Sequence, residues 1–148
     1  MLRFLISLIV IALSGFIQSA SWFSIAGVKP NLVLVLTLVF FALLERGWVE
    51  RLAIALTAEL SIQFAPLPDI YGIVFLFVVI VCGIAMDYLR LQPILVLTGL
   101  VIVSTVTLNV IGSVQFVIAL EEVIYNLVLV WIIYLAIEFL YGKKILTR

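Results

Sequence analysis

Apolar side chains run from residue 2 to residue 141 with only short polar interruptions. A membrane-crossing helix needs about 17 to 25 residues, and the interruptions divide the chain into six segments near or below that size. The first covers residues 2–23 and stops before Gly27, Val28, Lys29 and Pro30. Proline and the residue before it disfavour a continuing helix. The second covers 30–44 and is closed by the charged run Glu45, Arg46, Gly47, Trp48, Val49, Glu50, Arg51. The third, 52–65, ends at Pro66 and Pro68; the fourth, fifth and sixth cover 70–86, 93–111 and 116–141. The second and third are short, so they borrow from flanking loops or tilt little.

Composition sharpens the picture. Of the 148 residues, 67% are hydrophobic and 11% charged, and the mean hydropathy is +1.45, whereas soluble chains carry about 25% charged residues. The expected fold is all-α: a polytopic integral membrane protein, one domain over 1–148, built as a compact bundle of about six transmembrane helices. A net charge of zero provides no basic field for nucleic acid. Cys82 is alone and there is no histidine. An intrachain disulfide, imidazole metal sites, Ser/His/Asp triads and Cys/His pairs are thereby excluded, and no cofactor is expected.

Lysine and arginine collect in short loops on the cytoplasmic side. With six crossings and the amino terminus inside, Arg3, Arg46, Arg51, Arg90, Lys143, Lys144 and Arg148 lie inside and only Lys29 outside. Five crossings would strand the last three cations outside. Trp22, Trp48, Tyr88 and Tyr141 fall near segment ends, where amphipathic rings prefer the interface. A cleaved signal peptide is the competing reading of the first segment, with Arg3, an apolar stretch to Ile17, then Ser19, Ala20 and Ser21. Against it, the apolar run continues through Trp22 and Phe23. Cleavage leaves five helices and the same cytoplasmic carboxyl terminus.

The third segment holds the most exceptional residue, Glu59, with Gln63 one turn on. A central acidic residue costs about 2.5 to 3.5 kcal/mol, and six Leu, Ile and Phe residues return about 0.3 to 0.6 each, so the segment is nearly neutral towards insertion. Ala53, Thr57, Ser61 and Ala65 form a small-residue stripe on its other side, which permits close helix approach. It is therefore expected to be the central helix. Glu59 reads either as a protonated or hydrogen-bonded structural carboxyl or as a proton or ligand site. In the fifth segment Thr98 and Thr105 are expected to be packing residues that bond their own backbone, and Asn109 shares their face. Glu122 and Asn126 share a face of the sixth, and Glu121 is expected in the outer headgroup region. With this orientation Gln18, Lys29, Asn31, Gln63, Asn109, Glu122 and Asn126 all fall in the outer half. They read as inexpensive polar groups near helix ends or as an outward-facing cavity. Cys82 has apolar neighbours and reads as a core residue.

At Gly27, Val28, Lys29, Pro30, Asn31 and Leu32 the chain resembles the MreD family of bacterial rod shape-determining membrane proteins. Gln18 and Ser19 resemble the family's Gln-Ser near the end of the first helix, Arg46 and Gly47 its Arg-Gly turn, and Tyr125, Asn126 and Leu127 its Tyr-Asn-Leu. The third helix departs from the family's glycine-rich pattern, with Ala55, Ala58, Glu59 and Gln63 there. The resemblance implies a noncatalytic subunit of the cell-elongation machinery in the bacterial plasma membrane. Its implied partner is an MreC-like bitopic protein, with MreB and the peptidoglycan synthases reached indirectly. Lys29, Asn31 and Asn126 are then expected to govern partner association, against the structural alternative that Pro30 and Asn31 cap the second helix and Asn126 bonds the fifth. Two alternatives compete: the vitamin-binding subunit of an energy-coupling factor type importer, and an intramembrane enzyme built on Glu59 and Glu122. The importer lacks support from long outer loops, and the enzyme from any accompanying nucleophile, base or metal set.

The charge bias yields a topology test. With Cys82→Ser removing the native thiol, Asp69→Cys should react with an impermeant thiol reagent applied to intact cells and Thr147→Cys should not. Labelling at position 147 would refute the cytoplasmic carboxyl terminus and with it this topology.

Overall fold

The structure is a computed structural model that describes residues 2–20, 24, 27–43, 47–63, 70–89 and 91–141. Among these residues the chain forms six helices, α1 (Leu2–Ser19), α2 (Leu32–Leu43), α3 (Trp48–Gln63), α4 (Ile70–Tyr88), α5 (Pro93–Ile111) and α6 (Phe116–Tyr141). Three are long and apolar enough to cross a membrane, over Ile70–Tyr88, Pro93–Ile111 and Phe116–Ile137. They point to a membrane protein. Arg3–Ser19 and Leu32–Ala42 are shorter apolar helices.

The central element is α2, which packs against all five other helices. Around it α1, α3, α4, α5 and α6 form an arc in that order, each in contact with the next. The composition of α2 explains the position: Thr37 is its only polar residue, and the Thr37 hydroxyl donates back to the Val33 carbonyl at 2.7 Å. A helix that is apolar all round belongs in the interior. Val33 through Val39 and Phe41 are buried, and with Ile11, Ile54, Phe75, Leu97 and Val130 they form the core.

The central position expected for the third segment is therefore a correction. Helix α3 touches α1, α2 and α4, and Val49, Leu52, Leu56 and Leu60 form an exposed apolar stripe along it. Its near-zero insertion energy is met by neighbours on one side only. The small-residue stripe does act as a close contact. An added Cβ on Gly15 of α1 would fall 2.5 Å from the Ser61 Cβ and 2.6 Å from the Ser61 carbonyl oxygen, so only glycine allows this approach.

Helix boundaries differ from the sequence pattern where polar groups find partners. Helix α1 ends at Ser19, and the expected continuation over 21–23 lies outside the described residues. Helix α2 begins at Leu32 rather than Pro30, because Asn31 caps it. Helix α3 begins at Trp48, four residues before the expected start, and the early charge of Arg51 is neutralised on the adjacent α4. Arg51, 4% exposed, donates to both carboxylate oxygens of Asp87 at 2.8 and 2.9 Å and to the Gly83 carbonyl at 3.1 Å. The guanidinium also lies 5.4 Å from the Trp48 ring centre and 5.8 Å from that of Phe41, within cation–π range. Gly83 makes room for this arrangement, since a Cβ there would sit 3.1 Å from the Phe41 ring.

Gly15→Ala should destabilise the protein by about 1 to 3 kcal/mol through overpacking. Gly99→Ala, where an added Cβ meets nothing within 4 Å, should be neutral or stabilising by up to about 1 kcal/mol. Thermal unfolding in detergent checks both, and equal melting temperatures would contradict the α1–α3 contact.

Candidate functional site

The start of α2 brings together side chains from four helices. A helix start leaves backbone N–H groups without intrahelical acceptors, and in an apolar interior water cannot supply them. Here Asn31 stands at the N-cap, and its Oδ1 accepts from the Leu34 amide at 3.0 Å. Gln18 of α1 accepts from the Val33 amide at 3.0 Å through Oε1 and donates to Asn31 Oδ1 at 3.5 Å through Nε2. The Asn31 amide donates to Asn126 Oδ1 of α6 at 2.7 Å. The Leu32 amide donates to the Pro30 carbonyl at 3.0 Å and the Val35 amide to the Asn31 carbonyl at 3.1 Å. Every amide from Asn31 to Val35 is accounted for.

The network continues into α5. Asn126, 0% exposed, donates through Nδ2 to the Thr105 hydroxyl at 3.0 Å. Asn109 donates to the Thr105 carbonyl at 3.0 Å and to Glu122 Oε2 at 2.9 Å. One connected set of hydrogen bonds therefore joins α1, α2, α5 and α6. A helix N-terminus commonly binds anions, but side-chain amide oxygens occupy this one.

Of the residues singled out in the sequence, Gln18, Asn31, Asn109, Glu122 and Asn126 meet in this network. Lys29 does not; it is exposed and pairs with no described residue. Gln63 is the last residue of α3, and its side chain lies outside the described residues. Glu59 takes no part in the network. It is 4% exposed, its Oε1 has no hydrogen-bond partner among the described residues, and Ile62, Tyr71, Gly72 and Phe75 surround it without leaving room for a water molecule. Among the described residues, no three His, Cys, Asp or Glu side chains converge as metal ligands do.

Asn31 and Asn126 are enclosed, with Asn31 capping α2 and Asn126 bonding α5 as in the structural alternative. Their polar atoms are used inside the fold. Thr98 does bond its own backbone, to the Ile94 carbonyl at 2.7 Å, whereas Thr105 is a network member rather than a packing residue. The sequence reading also missed the Arg51–Asp87 pair. A signal existed: with alternating helices, the start of the third segment and the end of the fourth lie at the same end of the bundle. Cys82, buried as expected, lies 3.1 Å from the Ser104 hydroxyl and ties α4 to α5.

Neither the protein-family models, nor the characterised proteins, nor the solved structures compared with the chain match it.

Asn126→Leu removes one acceptor and one donor and leaves the Asn31 amide and the Thr105 hydroxyl unmatched. Leaving a buried group unsatisfied costs about 1 to 3 kcal/mol, so the melting temperature in detergent should fall clearly. Asn31→Ala should cost about 0.5 to 2 kcal/mol as a lost N-cap. Unchanged melting in both variants would contradict the network.

Proposed function

We propose that this protein is a noncatalytic, MreD-like subunit of the bacterial cell-elongation machinery. It crosses the plasma membrane six times with both termini in the cytoplasm, and it organises peptidoglycan synthesis by binding an MreC-like bitopic partner. One observation carries the reading: Gln18, Asn31 and Asn126 belong to three separate motifs of the family resemblance, and all three converge on the start of α2. Residues 13 and 95 positions apart in sequence thus serve one local purpose. Their role in this reading is to fix the helix arrangement that presents exposed groups to the partner, and among the described motif residues Lys29 is the charged one, exposed together with Ser19, Gly27 and Gly47. The importer alternative draws less support, because most of the polar side chains assigned to an outward cavity are engaged with one another.

The test is capture of a coexpressed MreC-like protein by the intact chain in native membranes. Lys29→Ala should weaken capture several-fold, as expected for a rim charge, while the melting temperature stays unchanged. Absence of capture by the unaltered chain, or copurification of a tightly bound small molecule in its place, would refute the proposal.

A further inference from the structure

Helix α6 is the least enclosed of the three long apolar helices, with 11% of its most apolar window buried. Val123, Asn126, Val130 and Tyr134 face inward. On the opposite side Val117, Glu121, Ile124, Val128, Ile132 and Leu135 recur at spacings of three and four, which places them on one outward stripe. Glu121 is the only charged residue of that stripe and its one half-buried member, and it makes no hydrogen bond or ion pair with any described residue. Its neighbour Glu122 turns inward to Asn109.

Glu121, expected in the outer headgroup region, lies within the helix rather than at its start. Phe116, Val117, Ile118, Ala119 and Leu120 precede it within the helix, and Phe116 and Val117 are 80% and 64% exposed. At 1.5 Å per residue, apolar helix surface extends about 7 Å beyond Glu121 towards the membrane edge. Val110 and Ile111, at the end of the adjoining α5, are exposed as well. Glu121 is therefore flanked by apolar helix surface and stands, half-buried, on the side of α6 opposite the core. An ionisable group in that position calls for a partner from outside the chain.

We propose that the outward stripe of α6 docks a transmembrane helix of another protein, with a lysine or arginine at the depth of Glu121. Charge complementarity selects the occupant. A second copy docked symmetrically on this stripe would place one Glu121 against the other, because a twofold interface pairs each patch with itself. Helix association in lipid rests on side-chain packing and on polar contacts of this kind. The inference deepens the partner reading above and rests on it for the identity of the natural partner.

The full-length chain in phosphatidylcholine vesicles, labelled with a donor fluorophore, tests it against acceptor-labelled oligo-leucine transmembrane helices. One helix carries a single lysine five residues from its outer end, and the control carries leucine there. The lysine helix should bind about fivefold more tightly or better, and Glu121→Gln should remove the preference without lowering the melting temperature. Glu121→Lys should reverse it, favouring a helix with glutamate at that position; this arm decides the matter if Glu121→Gln folds poorly.

Equal binding of the lysine and leucine helices, or a preference that survives Glu121→Gln, would overturn the proposal. So would self-association of the chain that Glu121→Gln abolishes, which assigns the stripe to a second copy. Loss of the preference on replacing phosphatidylcholine with phosphatidylethanolamine would assign Glu121 to a lipid ammonium group and overturn it likewise. Capture of the MreC-like partner that is indifferent to Glu121→Gln removes this face while leaving the functional reading intact. A lysine preference without any MreC-like capture does the converse.

Discussion

The first turn of α2 sets a problem that the rest of the bundle is arranged to solve. Its amide donors lie in an apolar interior, where an unmatched N–H costs far more than at a wet surface. A long helix could push that turn out to the interface. Helix α2 is only 12 residues long and sits at the centre of the arc, so its start is enclosed by α1 and α6. Gln18 and Asn126 therefore have to supply acceptors from those helices, and Asn31 supplies one from the cap itself. Thr105 and Asn109 then hold Asn126 and Glu122 in place.

At the other end of the bundle a different device serves. Arg51 is enclosed by its bidentate pairing with Asp87, the Gly83 carbonyl and the two flanking rings. This fixes the start of α3 against the end of α4, while the amide network fixes α1, α2, α5 and α6. Glycine at position 15 brings α1 onto α3 and connects the two sets. Within that framework the described network uses its own polar groups, which gives exposed Lys29 and half-buried Glu121 their significance.

The helical class and all six segments were legible because apolar run length and proline position are local properties. So was the convergence of polar residues towards one end, since alternating helix direction places Gln18, Asn31, Asn109 and Asn126 at a common level. Which helix is central was not legible from the insertion energy of the third segment. That quantity tells how badly a helix needs neighbours, not how many it has, and the uniformly apolar second segment was the better indicator. The roles of Thr105 and Asp87 depend on which faces meet across helices, and periodicity within one helix does not carry that information. The same limit left Asn126 open between a partner contact and a bond to the fifth helix, and the Thr105 hydroxyl supplies that bond.

Amide hydrogen exchange at the start of α2 tests the central claim most directly. With their donors held by Asn126, Gln18 and Asn31, the amides of Asn31, Val33 and Leu34 should exchange as slowly as those in the middle of α2. Fast exchange there, with the middle of the helix still protected, would show an ordinary frayed start and contradict the account.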